Sequence, residues 1–187
     1  MKLIGVRDKQ NLLIDYHPHA ESLNKKLIAE SSTWKYPNRG YTNIHGEKWE
    51  TNNRDKSNPS QLVFEWVKSL LRDFYRLRSD AVVSMKYDVE MWFAKYDKGD
   101  YATEHHHLPF ALFSFVYFIN CPRGSSPLIF KESGKRIKAE EGKVVVFHSN
   151  LKHYVPKNRC ENRLVLAGNM RTHTTFDVGG VISGGGR

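Results

Sequence analysis

Three histidines stand in a row in this chain, at His105, His106 and His107. They follow an aromatic-rich, strand-like segment, Met91–Tyr96, a Lys-Gly-Asp break and a short return to extended sequence. Side chains alternate between the two faces of a strand, so His105 and His107 are expected on one face and His106 on the other. Two imidazoles at positions i and i+2 on one face form a chelating pair for a metal ion, which needs a further ligand from elsewhere.

His153 is the best candidate for that further ligand. It follows a short apolar run at 143–148, which is typical of a fully buried strand because it does not alternate with polar residues. A carboxylate from Glu104 or Asp100 could serve instead of His107. Alternation disfavours Glu104, which shares a face with His106.

Arg163 begins another apolar strand, ten residues after His153. On that strand Arg163 shares a face with Val165 and Ala167, which are small core residues. A guanidinium in such a place is costly without an anionic partner. The sequence therefore predicts an anion-binding arginine near the histidine cluster.

In order and spacing, these residues resemble the 2-oxoglutarate- and Fe(II)-dependent oxygenases, whose signature is a His-x-Asp at a strand end, a distant His, and an Arg about ten residues later. The nearest branch is the oxygenases close to prolyl hydroxylases, including phage-encoded ones. The resemblance covers about half the chain, Met91 to Met170. It is carried by the tracts Tyr96–His107, Ser114–Ile119 and Gly142–Val155.

The resemblance implies a role for each matching residue. His105 and His153 match the two metal-binding histidines, Arg163 matches the residue that pairs with the distal carboxylate of 2-oxoglutarate, and Tyr96 matches a tyrosine that hydrogen-bonds the same carboxylate. His107 stands where the family has its metal-binding aspartate, which is the clear departure. A second departure is Phe118, where relatives often carry a tyrosine. The implied cofactors are Fe(II) and the co-substrate 2-oxoglutarate, with dioxygen as the other reactant.

His107 is expected to be the third metal ligand, completing a site with His105 and His153. A neutral imidazole leaves the metal one unit more positive than a carboxylate would, which favours binding of dianionic 2-oxoglutarate. Three histidines also describe a catalytic zinc site. A three-histidine hydrolase or cupin-type dioxygenase without 2-oxoglutarate therefore stays open, as does an inactive binding module. The zinc reading leaves Arg163 unexplained.

The fold class expected from the pattern is mainly β with flanking helices (α+β), in which an antiparallel sandwich carries helices outside it. The resemblance implies a double-stranded β-helix, the jelly roll of cupins. One domain is expected over 1–187, with a helical and loop part at 1–85, a β core at 86–170 and a glycine-rich tail at 171–187. The predicted helices are 20–31 and 61–75, and the predicted strands are 91–97, 101–107, 111–119, 128–130, 143–148 and 162–170.

Composition places further bounds on function. The net charge of +9 is dispersed along the chain, so a nucleic-acid partner is permitted but not indicated. Two cysteines make no disulfide framework, and neither a signal peptide nor a membrane-spanning run is recognisable. These features predict a soluble cytoplasmic enzyme. Its substrate cannot be read from the sequence, although a peptidyl or prolyl substrate is the nearest analogy.

Overall fold

The computed structural model describes residues 2–5, 11–33, 44–50, 57–76 and 86–173. The predicted glycine-rich tail beyond 173, and several segments of the predicted helical and loop part at 1–85, lie outside these ranges.

Twelve strands and two helices occupy the described residues. In chain order they are β1 Lys2–Gly5, β2 Asn11–Tyr16, α1 Ala20–Thr33, β3 Ile44–His45, β4 Glu47–Glu50, α2 Pro59–Arg76, β5 Lys86–Tyr96, β6 Tyr101–His105, β7 Phe113–Asn120, β8 Leu128–Phe130, β9 Arg136–Ile137, β10 Lys143–His148, β11 His153–Val155 and β12 Arg163–His173.

The strands form two antiparallel sheets that face each other. The larger sheet has the order β1-β2-β10-β7-β12-β5-β4, and the smaller has the order β3-β6-β11-β8-β9. The longest ladder of the larger sheet joins β12 to β5 and runs from Arg163 opposite Tyr96 to His173 opposite Lys86. This arrangement confirms the predicted β sandwich with helices at its side.

Both helices pack on the face of the larger sheet that lies away from the smaller one. The side chain of Glu30, near the end of α1, accepts hydrogen bonds from the Ser60 backbone N–H (2.8 Å) and the Ser60 hydroxyl (2.6 Å). That carboxylate satisfies an otherwise unpaired donor in the first turn of α2 and complements the positive end of its dipole. The two helices are thereby fixed to each other as well as to the sheet.

On α2, Leu62, Trp66, Leu70 and Phe74 recur every four residues, with Val63, Val67 and Leu71 beside them. This spacing predicts a core-facing stripe, which is wrong for Leu62 because 49% of its surface is exposed. The deepest residues are Val63, Val67 and Leu71. An α-helix turns every 3.6 residues, so a stripe written with a strict spacing of four drifts around the axis. The face that reaches the sheet is centred one residue further along the chain.

Side chains of the larger sheet divide into two apolar clusters, one on each face. On β10, Val144 and Val146 point to the helices, whereas Val145 and Phe147 point to the smaller sheet. Because both faces are covered, the strand has no polar face, which explains its continuous apolar run. The prediction of a fully buried strand at 143–148 is confirmed.

Strand ends differ from the predictions near the histidines. The predicted strand at 101–107 ends at His105, because residues 106–111 turn through a loop that contains the cis Leu108–Pro109 bond. His153 lies on a three-residue strand, β11, that was not predicted. No helix in the described part of the chain is long and apolar enough to cross a bilayer.

Candidate metal and dicarboxylate site

His105, His107 and His153 meet between the two sheets. One ring nitrogen from each lies within 4.8 Å of the other two. The ring centroids are 4.3 Å apart for His105 and His153, 4.9 Å for His105 and His107, and 5.2 Å for His107 and His153. Nitrogens bound at right angles to one ion at about 2.1 Å lie about 3 Å apart, so the cluster needs to close only slightly around a metal.

Two of the three rings come from paired strands of the smaller sheet. His153 on β11 lies directly opposite His105 on β6. The Nδ1 atom of His105 lies 2.7 Å from the carbonyl oxygen of Thr103, and that of His153 lies 2.8 Å from the carbonyl oxygen of Leu151. A carbonyl can only accept, so each Nδ1 carries the proton. Each Nε2 then keeps its lone pair for a metal, as is usual for histidine ligands.

His107 reaches the cluster from the loop that follows β6. Its backbone N–H donates to the carbonyl oxygen of Ser149 (2.8 Å), and its carbonyl accepts from the N–H groups of Phe110 (3.0 Å) and Ala111 (3.1 Å). These bonds hold the main chain in place although the strand has ended. His105 and His107 are therefore on the same side, as alternation predicts, while His106 is exposed and its Nδ1 accepts from the Leu108 N–H (3.2 Å).

Neither of the alternative carboxylates is at the cluster. Glu104 points outward, where it pairs with Lys131 at 3.0 Å. The Asp100 side chain accepts the N–H of Asp97 (2.8 Å) and so closes the turn between β5 and β6. Among the described residues, the three histidines form the one group of potential ligands that could hold a metal.

Arg163 is buried, with 1% of its surface exposed, and lies opposite Tyr96 in the β12–β5 ladder. Its guanidinium carbon lies 4.7 Å from the centre of the Tyr96 ring and 5.6 Å from that of Phe118. Its Nε donates to the carbonyl oxygen of Ser126 (3.1 Å), and its Nη1 has no hydrogen-bond partner in the described part of the chain. A buried guanidinium stacked on rings, with a donor to spare, is suited to an anion.

Burial sets the protonation states of the site. Desolvation lowers the pKa of the Arg163 guanidinium, an effect that the Tyr96 hydroxyl opposes. Desolvation raises the pKa of Tyr96 against the pull of Arg163, so its hydroxyl stays a hydrogen-bond donor near neutral pH. Desolvation, with a contribution from His105, also holds the pKa of His153 well below its ordinary value. The His153 ring is therefore neutral, as metal binding requires.

A cleft between the sheets joins the histidine cluster to Arg163 and Tyr96. It spans about 520 Å³ of atom-free space, part of which is open solvent. Its walls between the two polar ends are apolar, and they include Trp92, Leu128, Phe147, Val155 and Val165. The cleft thus places a group of potential metal ligands and a cation in a setting of low polarity, where ionic interactions are stronger than in water.

Sequence reasoning missed two contributors to the site. Ser126 supplies the carbonyl that orients Arg163, and no local pattern indicates it. Asn169 lies 3.4 Å from His107 through its side-chain nitrogen. A signal for Asn169 was available, because alternation from Arg163 puts residues 165, 167 and 169 on the same face.

No protein-family model matches the sequence, and no curated protein matches it. Solved structures do match. The viral collagen prolyl hydroxylase of Paramecium bursaria Chlorella virus-1, solved with 2-oxoglutarate, has a TM-score of 0.69 at 15% identity, and the match covers 91% of this chain and 100% of that chain. A prolyl-4-hydroxylase from Pseudomonas putida has a TM-score of 0.66 at 20% identity, covering 87% and 93%.

A 2-oxoglutarate–Fe(II) oxygenase family oxidoreductase from Burkholderia pseudomallei also matches, with a TM-score of 0.62 at 14% identity and coverage of 87% and 84%. At these identities the likeness establishes the fold. The chain has the jelly-roll fold of these oxygenases, which confirms the fold predicted from the sequence.

Proposed function

We propose that this protein is an Fe(II)- and 2-oxoglutarate-dependent dioxygenase that acts as a hydroxylase. His105, His107 and His153 would hold the metal, and Arg163 with Tyr96 would hold the distal carboxylate of 2-oxoglutarate. Fe(II) bound there supplies the redox chemistry that couples dioxygen to oxidation of a substrate, with 2-oxoglutarate converted to succinate and carbon dioxide.

The observation that carries the proposal is Arg163, which lines the same cleft as the three histidines and whose buried Nη1 has no hydrogen-bond partner among the residues that the structure describes. Among the described carboxylates, none forms an ion pair with it. A buried positive charge without a counter-ion is expensive, and a bound carboxylate offsets that cost. A dicarboxylate would match both ends of the cleft, because one carboxylate would reach the metal site while the other paired with Arg163.

The donor set fits Fe(II). The Nδ1 bonds of His105 and His153 leave Nε2 of both rings able to bind a metal, and imidazole nitrogen is a common iron ligand. Three neutral ligands leave the full charge of a divalent ion in place. That charge favours a dianionic co-substrate, and the chain's own residues need only orient it and exclude water.

Tyr96 contributes at the far end of the cleft. Its raised pKa keeps the phenol protonated, so the hydroxyl can donate to a carboxylate that Arg163 also binds. Phe118 and Tyr96 stack on the guanidinium and restrict it to one plane. The co-substrate would therefore be bound in one orientation, with its 2-oxo acid end toward the histidines.

We infer that the substrate is peptidyl. The loop after His107 exposes three large apolar side chains, Leu108, Phe110 and Leu112, of which Phe110 is 70% exposed. They follow His107 directly in the chain, and a peptide side chain could pack on them. One structural neighbour is a prolyl hydroxylase from Trichoplax adhaerens in complex with a peptide fragment of hypoxia inducible factor, matched at a TM-score of 0.58 and 10% identity, with coverage of 86% and 83%.

The test is succinate formation from 2-oxoglutarate by the purified protein with Fe(II), ascorbate and dioxygen, with and without a pool of proline-containing peptides. Arg163→Ala should abolish turnover at low 2-oxoglutarate concentration. Arg171→Ala is the matched control, since Arg171 lies on the same strand but is exposed, and it should behave as the wild type. Equal activity of the Arg163→Ala variant would contradict the proposal.

A three-histidine metal enzyme that does not use 2-oxoglutarate is the second candidate. It is favoured by the all-nitrogen donor set, which also suits catalytic zinc. It predicts metal-dependent hydrolysis of activated esters and no succinate, and it predicts that Arg163→Ala leaves that activity unchanged. The oxygenase assay and an ester assay on the same preparation separate the two.

A further inference from the structure

Three buried polar side chains form a hydrogen-bonded chain that ends at His107. The Ser149 hydroxyl lies 2.8 Å from the Ser114 hydroxyl, and the Ser114 hydroxyl lies 3.0 Å from Oδ1 of Asn169. The other side-chain atom of Asn169, Nδ2, lies 3.4 Å from Nδ1 of His107. Asn169 is only 9% exposed, and both serines are more deeply buried.

The fold places these groups together. Asn169 on β12 lies opposite Ser114 on β7, and Ser149 follows directly after β10. The backbone of Ser149 is tied on both sides, since its N–H donates to Leu112 (3.0 Å) and its carbonyl accepts from His107 (2.8 Å). The larger sheet therefore holds both the main chain and the ring of His107.

Polar side chains are unexpected on this face, where Val165 and Ala167 precede Asn169. Burying hydroxyl and amide groups costs free energy unless every group is paired. Among the described residues, the hydrogen-bonded chain of Ser149, Ser114 and Asn169 ends at His107. We therefore take its role to be holding the His107 ring.

The other two histidines of the cluster show what such a partner does. His105 and His153 each bond through Nδ1 to the carbonyl oxygen two residues earlier, so their tautomer is fixed. His107 instead meets an amide, which can either donate or accept. A half-turn of the amide exchanges its oxygen and its NH₂ group, which have nearly the same shape.

The two orientations have opposite consequences. With NH₂ toward His107, Nδ1 of the ring must accept, the proton sits on Nε2, and that nitrogen cannot bind a metal. With Oδ1 toward His107, Nδ1–H donates to the amide and Nε2 is free to bind, while NH₂ donates to the Ser114 hydroxyl. Ser114 can then donate to Ser149, so all groups stay paired in either arrangement.

We propose that Asn169 is the positioning residue of His107: in the metal-bound protein its amide oxygen accepts Nδ1–H, and this fixes the tautomer that makes His107 the third ligand. The inference rests on the proposed metal site. It also explains how a histidine works at a position where the related family has an aspartate, since a side-chain acceptor replaces the local carbonyl used by the other two rings.

The experiment compares Co(II) binding by calorimetry and by visible absorption in five proteins: wild type, Asn169→Leu, Asn169→Asp, His107→Ala and Asn24→Leu. Loss of an outer-shell partner typically reduces metal affinity by about 10- to 100-fold, and we expect that for Asn169→Leu. Asn169→Asp retains an acceptor and should bind Co(II) at least as tightly as the wild type. Asn24→Leu is the matched control: Asn24 is also buried, but on the helix side of the sheet, so stability should fall without a change in affinity.

A double variant separates positioning from a general structural effect. In the His107→Ala background, Asn169→Leu should cause no further loss of Co(II) affinity. Nitrogen-15 spectra of the Zn(II)-loaded protein should show all three rings protonated at Nδ1. An equal loss in both backgrounds, unchanged affinity in Asn169→Leu, or a His107 ring bound through Nδ1 would overturn the inference.

These outcomes are separable from failure of the proposed function. If the Co(II) affinities and the tautomers follow the expected pattern but no succinate forms, the oxygenase proposal fails while the role of Asn169 stands. If succinate forms but His107→Ala binds Co(II) as tightly as the wild type, the oxygenase proposal stands and the role of Asn169 fails.

Discussion

The two faces of β12 serve opposite purposes within one strand. Leu164, Leu166 and Met170 point to the helices and belong to a dry apolar cluster. Arg163 and Asn169 point to the smaller sheet, where they meet the histidines and Tyr96. The same backbone hydrogen bonds support both faces, so the alternation of side chains alone separates them.

The two faces differ in whether their buried polar side chains have hydrogen-bond partners. On the helix face, the polar pair is complete: Tyr117 donates to Asn24 (2.7 Å), and Asn24 donates to the carbonyl of Ile119 (2.8 Å). On the cleft face, Nη1 of Arg163 has no hydrogen-bond partner within the described ranges. Stability is thus concentrated on one face, and binding capacity, which carries a free-energy cost in the unbound protein, is concentrated on the other.

The largest expected effect that tests this division is that of Arg163→Met. Removing one partner of a buried charge pair should weaken 2-oxoglutarate binding by about 2–5 kcal/mol. Stability of the ligand-free protein should be unchanged or higher, because an apolar side chain replaces an unpaired buried charge. Calorimetry with 2-oxoglutarate on Mn(II)-loaded protein and urea unfolding without ligand measure the two. A strongly destabilised variant with wild-type affinity would mean that Arg163 contributes to stability and not to binding.

On the helix-facing side of β12, Leu166→Ala should lower stability and leave binding unchanged. Leu166 is fully buried between the sheet and the helices, so the cavity left by its side chain should lower the free energy of unfolding by about 2–5 kcal/mol. Metal affinity of the folded protein should not change. Leu62→Ala, the same substitution at an exposed helix position, should stay within about 0.5 kcal/mol of the wild type.

A smaller effect is expected at Gly168, also on the helix-facing side of β12. A Cβ atom there would lie 2.5 Å from Cε1 of Phe115 and 3.1 Å from Cγ of Met91. Gly168→Ala should therefore destabilise by about 1–3 kcal/mol through overpacking. If the cause is the Phe115 ring, the same substitution in a Phe115→Leu background should cost less in urea unfolding. An equal cost in both backgrounds would point to the backbone instead.

The sequence predicts some of the features on these faces and not others. Local patterns sufficed for β10, whose apolar run requires cover on both sides, and for the pairing of His105 with His107 by alternation. They could not reveal that Arg163 lies opposite Tyr96, because that register joins strands 67 residues apart and depends on the whole sheet. The resemblance supplied both residues as site candidates, and the ladder supplies the physical reason that they meet.

The short strand β11 was also not predicted from the sequence. β11 has three residues, too few to show a period, and its position is set by pairing with β6 and β8 rather than by its own composition. Asn169 lies within the predicted strand at 162–170, and its signal is a polar side chain on the Arg163 face rather than a strand pattern. Single polar residues on apolar strand faces are therefore the signal to follow in such chains.

The smallest effect concerns a cluster that belongs to neither face. Glu140 accepts a hydrogen bond from Tyr16 and pairs with Lys143 and with Lys138, the latter at 3.0 Å, at the edge where β2 meets β10. The Lys143 ammonium, then Tyr16 and Lys138, lower the pKa of Glu140 to about 2 from an ordinary value of 4.5. A carboxylate with a depressed pKa stabilises the folded state fully above pH 4.5, and this contribution is lost as pH falls to about 2.

Glu140→Gln should therefore reduce the free energy of unfolding at pH 6 to 7, by less than about 1 kcal/mol because the carboxylate is partly exposed to solvent. The gap to the wild type should close between pH 4.5 and 2, and it should narrow in 1 M salt. Urea unfolding across that pH range measures it. A gap that is constant at every pH would mean that the charge of Glu140 contributes nothing, and a change in Co(II) affinity would mean that this edge is coupled to the cleft face after all.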